Sequence, residues 1–379
     1  MSLVLTEEHQ LLQSSAADFV RSRSSLKRIR ALRDSGDRDG FSRDLWHEMA
    51  SLGWTGIVIP EKYGGSGLGY SHLMVVMEEL GRGLMPEPMI PTTLATAALL
   101  RGGSEEQRRE ILPAVAEGEA VLSLGHSEAG SRFDPYRVAT RAERNGGKWR
   151  LAGEKRLVAN AQSASQLVLS ARTSGNEGDR SGLTLFLVDP QASGVTLTPQ
   201  HLVDGRAAAI VRLENVDVSE SAVVGEVDRG GPLLAAALDR ATAALAAEML
   251  GSMLAAFEMT VEYLKTRKQF GVLIGTFQAL KHRAAAVYTE TELSRSAVMA
   301  ASIAIDEQSP KIAELVSVAK ARLSDAFLLA ANEAVQMHGG IGMTDEHDIG
   351  FFLKRARTAE MTFGDAAWHR RRYAELQGY

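Results

Sequence analysis

No cysteine occurs anywhere in the 379-residue sequence. That single absence excludes disulfides, thiolate nucleophiles and cysteine-based metal sites, and it is compatible with a cytoplasmic location. Positive charge is not in excess either. Lys and Arg number 42 against 47 Asp and Glu, a net charge of -5, which argues against a general nucleic-acid binder. The opening Met-Ser-Leu-Val-Leu-Thr-Glu-Glu has no basic stretch leading into an apolar one, so no signal peptide is read there. No apolar run approaches ~18 residues, so no membrane span is expected. The histidines are scattered and no His-x-x-x-His pair stands beside a suitable acid, so no metal site is expected.

What is present is a globular balance, 45% hydrophobic and 23% charged, on a chain long enough for two or three packed regions. Residues 5 to about 33 read as one helix. Thr6 can cap it, Glu7 and Glu8 suit its positive end, and Leu11, Leu12, Ala16, Phe19 and Val20 recur at helical spacing. Ser42 opens a second helix ended by Gly53, Ser71 opens a third, and Pro91 to Leu100 forms a fourth. Ser104 with Gln107 is a capping-box pattern for the next. Residues 1–118 are therefore expected to form a helical domain.

Short strand-like runs follow at Ala120–Leu124, Lys148–Leu151, Gln166–Ala171, Leu183–Val188, Val195–Thr198 and Ala209–Leu213. They predict a small antiparallel β-barrel or sandwich over residues 119–226. From Gly230-Gly-Pro232 onward the apolar spacing is helical again. Residues 227–379 are expected to form a four-helix bundle, with one or two helices filling 345–376. The fold class is thus mainly α with a β middle.

Two stretches carry candidate chemistry. In Tyr263-Leu-Lys-Thr-Arg-Lys-Gln-Phe-Gly271 a positive cluster of Lys265, Arg267 and Lys268 meets an aromatic-glycine turn, and Phe277-Gln278 follows. Arginine's planar fork suits a pyrophosphate, and Gln278 can hydrogen-bond a heterocycle edge. The alternative is a basic helix end stopped by glycine. The second stretch is Gln336-Met-His-Gly-Gly-Ile-Gly-Met-Thr344. Elsewhere, Lys354-Arg-Ala-Arg357 reads as a solvated helix face, and Glu248 and Glu258 as surface or interface pairs.

Together these stretches resemble the acyl-CoA dehydrogenase flavoproteins. The resemblance rests on Arg267-Lys-Gln-Phe-Gly271, Phe277-Gln278 and Gln336-Met-His-Gly-Gly-Ile-Gly342. Gly53–Gly65 and Gly153-Glu-Lys-Arg-Leu-Val-Ala-Asn160 extend it over nearly the whole chain. It implies FAD as cofactor and an acyl-CoA thioester as substrate. A carboxylate removes the α-proton, a hydride passes from the next carbon to the flavin, and the electrons go on to an electron-transfer acceptor. It further implies that Arg267, Gln269, Phe270, Phe277, Gln278, Gln336, Gly339 and Gly340 hold the ADP half of an FAD bound mainly by a neighbouring subunit.

The chain departs from the family pattern where the acyl group would react. Met361-Thr-Phe-Gly-Asp365 matches the element that usually carries the catalytic Glu, and Phe363 stands at that position. The alternative family position for the acid falls near Ala241. The flavin loop is shortened to Ser127-Glu-Ala-Gly-Ser-Arg132, with His126 before it, and the usual ring-stacking Trp and nearby hydroxyl are replaced by Leu157 and Ala159. Three expectations stay open. The first is an incomplete partner subunit completed by a homologous sister chain, as in actinobacterial enzymes for steroid side-chain thioesters. The second is a self-sufficient homotetramer with its base relocated to Asp365, Glu360 or Asp239. The third is a non-catalytic acyl-CoA-binding or scaffold protein.

Overall fold

The computed structural model describes residues 4–379; the first three, part of the stretch read for a leader, lie outside the described residues. Six helices come first: α1 (Glu7–Arg23), α2 (Leu26–Ser35), α3 (Arg43–Ser51), α4 (Tyr70–Arg82), α5 (Met89–Gly102) and α6 (Glu105–Ala116). Eight strands follow: β1 (Leu122–Gly125), β2 (Arg141–Asn145), β3 (Lys148–Ala159), β4 (Gln166–Arg172), β5 (Leu183–Val188), β6 (Val195–His201), β7 (Ala207–Ser219) and β8 (Val223–Val224). Then come α7 (Gly230–Thr266), the two-stranded ribbon β9 (Lys268–Gln269) and β10 (Val272–Leu273), α8 (Gln278–Asp306), α9 (Ile312–His338), α10 (Ile349–Met361) and α11 (Ala366–Leu376).

The helix expected over 5–33 is two helices. Ser24 is extended and ends α1, while the Ser25 hydroxyl accepts from Arg28 N at the start of α2. Consecutive serines break the helix because their hydroxyls satisfy backbone groups that a continuous helix would use. The capping box of Ser104 and Gln107 forms as the pattern indicates.

The chain packs as two compact units that are each discontinuous in sequence. The first comprises the residues up to Ala31, Tyr70–Met85 and Thr242–Tyr379; the second comprises Leu32–Gly69 and Pro86–Ala241.

In the second unit the strands run in the order β6-β7-β3-β2-β4-β5-β8, with β1 added beside β4. The sheet is not purely antiparallel, because β1 and β2 each pair with β4 in parallel. β2 escapes notice in the sequence: Arg-Ala-Glu-Arg-Asn buries only Ala142, so its pairing with β3, not its side chains, makes it a strand. Trp149, Leu151, Val158, Leu169, Phe186 and Val211 fill one core, with the Trp149 and Phe186 rings edge to face at 5.6 Å. The Gln107 amide of α6 donates to the carbonyls of Ser221 and Val223 and fixes that helix to the end of the sheet.

In the first unit α4 and α7 touch backbone to backbone. A Cβ on Gly81 would lie 2.1 Å from the carbonyl oxygen of Glu248, and one on Gly251 would lie 1.7 Å from that of Glu78. Ser252 Oγ donates to Gly81 O across this crossing at 2.8 Å. Beside it, Arg355 makes a two-point ion pair with Glu248 at 3.0 and 3.2 Å, both side chains buried. Arg355 therefore does not belong to a solvated face, because Glu248 compensates its charge inside the unit. Glu258 does lie at the surface, paired with Arg82. An 18-residue window of α7 has a mean hydropathy of 1.3, enough to cross a membrane by length and composition, yet 67% of that window is buried inside the protein. That is the signature of a core helix.

Gly251→Ala is expected to force α4 and α7 apart and to destabilise the fold by about 1–3 kcal/mol. A thermal melt of the variant beside the wild-type chain measures this as a lowered midpoint.

Candidate functional site

The stretch from Tyr263 to Gln278 is built outward from the end of α7. Arg267 N donates to Tyr263 O and closes the helix, and Ile274 N donates to Arg267 O and closes the base of the ribbon, both at 2.9 Å. Between them Gln269 pairs with Val272, leaving a two-residue loop of Phe270 and Gly271 at φ 52° and 80°. Such a loop suits Asn-Gly; a phenylalanine in the left-handed region costs about 1–2 kcal/mol. Phe270 is also 90% exposed, so burial does not compensate the strain. Its ring meets Phe277 edge on at 6.1 Å.

The second stretch arrives from the end of α9. Gly339 adopts φ 68° and ψ −145°, a conformation nearly confined to glycine. A Cβ at Gly339 or Gly340 would have no atom within 4 Å, so open space lies beside both backbones. Leu264, Ile274 and Met337 form a small buried cluster that packs the two stretches together. The structure thus brings Arg267, Gln269, Phe270, Phe277, Gln278, Gln336, Gly339 and Gly340 to one end of the first unit. All eight are exposed. Lys265 is paired with Glu262, whereas Arg267 and Lys268 make no ion pair among the described residues. The arrangement offers a guanidinium, two side-chain amides, two aromatic rings and a bare glycine backbone, which suit an anionic, partly aromatic ligand.

Phe363 and Asp365 are not part of this cluster. They lie at the α10–α11 junction, which Lys320 holds from α9. Lys320 and His338 are 18 residues apart on that helix, roughly 27 Å. Lys320 is fully buried and its ammonium donates to Ser324 Oγ, Glu360 O and Gly364 O at 3.2, 3.0 and 2.7 Å. Burial pushes it down to about 7, opposed by the charges of Glu360 and Asp365. Phe363 itself sits at φ 60°, and its carbonyl lies 3.2 Å from His369 Nε2. Asp365 caps α11, accepting from Trp368 N at 2.7 Å. Glu360 is paired with Arg357 at 2.9 Å, and Asp239 is buried.

In the second unit, the loop Ser127–Arg132 is anchored by a buried ion pair. Glu128 Oε1 lies 2.5 Å from Lys155 Nζ, which also reaches Ser170 Oγ at 3.0 Å. The other Glu128 oxygen accepts from Ala139 N at 2.6 Å. Burial of Glu128 is outweighed by Lys155, and its pKa is held below the usual value. Protein atoms packed round His126, and then Lys155, push that imidazole down to about 4, so it is neutral at pH 7. Leu157 stands at φ 52° on a register shift of β3, 60% exposed.

Glu128, Lys155 and Lys320 were not singled out from the sequence. A signal for two of them existed. Trp149, Leu151 and Lys155 share the inward parity of β3, which places the lysine inside and demands a carboxylate partner. Lys320 likewise sits between Val316, Ala319 and Leu323 on the inward face of α9. Among the described residues no cluster of three or more His, Asp or Glu is arranged for a metal.

Comparisons with known proteins agree on what this architecture is. The sequence matches the family models for the acyl-CoA dehydrogenase N-terminal domain over residues 6–119, the middle domain over 123–216 and the C-terminal domain over 228–376. The chain belongs to the acyl-CoA dehydrogenase family, whose members are FAD-dependent oxidoreductases. It is 30% identical over 371 residues to the probable acyl-CoA dehydrogenase YngJ of Bacillus subtilis, covering 96% of each chain. Among solved structures it is similar to a Tcur3481–Tcur3483 steroid ACAD variant, with 31% identity, a TM-score of 0.88 and 98% of each chain covered. It is also similar to the ChsE4–ChsE5 complex from Mycobacterium tuberculosis, with 25% identity, a TM-score of 0.90, and 100% and 99% coverage.

The residues present fit one part of FAD and not another. The open space beside Gly339 and Gly340, with the ion-pair-free Arg267 close by in sequence to Phe277 and Gln278, suits the adenine and pyrophosphate. On β3, Leu157 offers no aromatic face and Ala159 no hydroxyl for a flavin ring.

The buried lysine gives a pH test. Between about 7 and the usual 10.5 the folded chain binds fewer protons at Lys320 than the unfolded chain does. Stability drawn from this group is expected to rise with pH across that window. Urea unfolding of the wild type and Lys320→Met at several pH values checks it: the variant is expected to lose that slope.

Proposed function

We propose that this chain is the catalytically incomplete subunit of a heteromeric, cytoplasmic, FAD-dependent acyl-CoA dehydrogenase. Arg267, Gln269, Phe270, Phe277, Gln278, Gln336, Gly339 and Gly340 hold the adenine end of an FAD whose flavin ring is served by a homologous sister chain. The observation that carries this proposal is the separation along α9. The exposed cluster stands at the C-terminal end of α9 and is intact, while the segment that should present a carboxylate is held by Lys320, 18 residues back along that helix, and carries Phe363.

The reaction itself sets the requirement. The α-proton goes to a base and the hydride leaves the β-carbon, so a carbon–carbon double bond forms and two electrons are passed on. FAD, when bound, supplies the hydride acceptance, and an electron-transfer acceptor takes the electrons from it. A phenyl ring takes no proton, so this chain's own α10–α11 junction provides no base at Phe363. Asp365, Glu360 and Asp239 are drawn into capping, ion pairing and burial, which leaves the self-sufficient homotetramer with less support. The similarity to the Tcur3481–Tcur3483 and ChsE4–ChsE5 pairs also favours a two-chain enzyme.

The test is purification of the chain alone and together with a homologous chain that carries the acid. Alone it is expected to show little flavin absorbance and no acyl-CoA turnover; together, both appear. Stoichiometric FAD and fast turnover from the single chain would sink the proposal, and a flavin-free pair would favour the scaffold. Within the pair, Arg267→Ala is expected to weaken FAD by about 1.5–3 kcal/mol, tenfold or more in Kd, read by flavin fluorescence.

A further inference from the structure

The imidazole of His338 lies where the two halves of the exposed cluster meet, and it is 3% exposed. Its Nδ1 is 2.7 Å from Ala334 O, so Nδ1 carries the proton and donates to the carbonyl four residues back. The other nitrogen, Nε2, is buried with no hydrogen-bond partner. On one side the ring of Tyr263 stands 4.5 Å away, and Tyr263 is the residue whose carbonyl closes α7 onto Arg267. His347 stands 4.4 Å away, its own Nδ1 accepting from Ile349 N at 3.2 Å. The chain after Gly340 folds back onto the end of α9, so that a Cβ on Gly342 would lie 2.6 Å from Val335 O and 3.0 Å from His338 Cβ.

We propose that His338 is a positioning residue: its neutral imidazole props the Gly339–Gly340 turn against Tyr263, and its protonation loosens the hold on an adenine dinucleotide. The proposal rests on the functional assignment above for the identity of the ligand, not for the stack. The groups that face the ring are Tyr263 from α7, His347 from the segment after the turn, and the Ala334 carbonyl of α9. No carboxylate is among them; of the acids beside His347, Asp345 and Asp348 are committed to Arg30 at 2.7 Å each and Glu346 is exposed. A second proton would make Nε2 a buried donor without an acceptor and set a cation against His347. Burial accordingly lowers the pKa from 6.5, Ala334 opposes this and His347 adds to it. The folded state then binds fewer protons than the unfolded one below 6.5, so the support from this ring is full above 6.5 and is lost as the pH falls.

The experiment titrates FAD affinity by flavin fluorescence in the flavin-bound assembly, from about pH 8 to about pH 5. The wild type is expected to lose affinity towards the acid end of that range, where the ring, whose pKa lies below 6.5, takes its second proton. His338→Phe keeps a ring and cannot titrate, so its affinity is expected to stay level; His338→Asn, which restores a donor to Ala334 O without an ionisable ring, is expected to be level too. His347→Phe is expected to retain the slope. A slope that survives in His338→Phe, or that vanishes with His347 instead, overturns the proposal. An assembly without FAD would refute the functional assignment separately. In that case hydrogen-exchange protection at Gly339–Gly342 in the chain alone reads the stack: it is expected to fall in acid in the wild type and not in His338→Phe, and an equal fall in both overturns it.

Discussion

Three buried side chains, Leu264, Ile274 and Met337, hold the exposed end of the first unit together. They come from the end of α7, the foot of the ribbon and the end of α9, so three stretches of chain depend on one small apolar contact. Truncating any one of them removes roughly 2–5 kcal/mol of packing. Partly buried Tyr263 and Leu280 pack against the same three side chains, while the eight exposed residues contribute little burial of their own. The contact fixes the ribbon's angle, and the ribbon fixes where Arg267 and Phe277 emerge. Gly275 shows how close the approach is: a Cβ there would lie 2.8 Å from the carbonyl oxygen of Leu264.

Backbone strain touches the candidate site without being confined to it. Phe270, Leu157 and Phe363 all take positive φ without being glycine, as do Leu84, Asn215, Asp228 and Gln308 elsewhere in the chain. At Phe270 the turn presents an exposed aromatic. At Leu157 and Phe363 the backbone carries side chains unable to stack on a flavin or take up a proton. Lys320 and His369 clamp the Phe363 segment from α9 and α11.

The buried charges follow a parallel logic. Glu128–Lys155 in the second unit and Glu248–Arg355 in the first each fasten a segment to a regular element. Such pairs add little net stability because desolvation offsets attraction, but they tolerate no loss of one partner. They specify position. The loop Ser127–Arg132 is pinned where the ion pair puts it.

The sequence alone determined the succession of helical, β and helical regions, the capping box at Ser104 and the family. Periodicity, glycine punctuation and motif spacing are local, and local patterns are written directly in residue order. The break at Ser24 and the strand β2 escaped because a serine pair and an exposed charged strand carry no apolar period. Only the tertiary structure decided that the two compact units draw on scattered segments, that Arg355 and Lys320 are buried, and that the Phe363 segment is held by Lys320, 18 residues along α9 from His338. Those are contacts between residues far apart in the chain, and which distant residue meets which is settled by packing rather than by order.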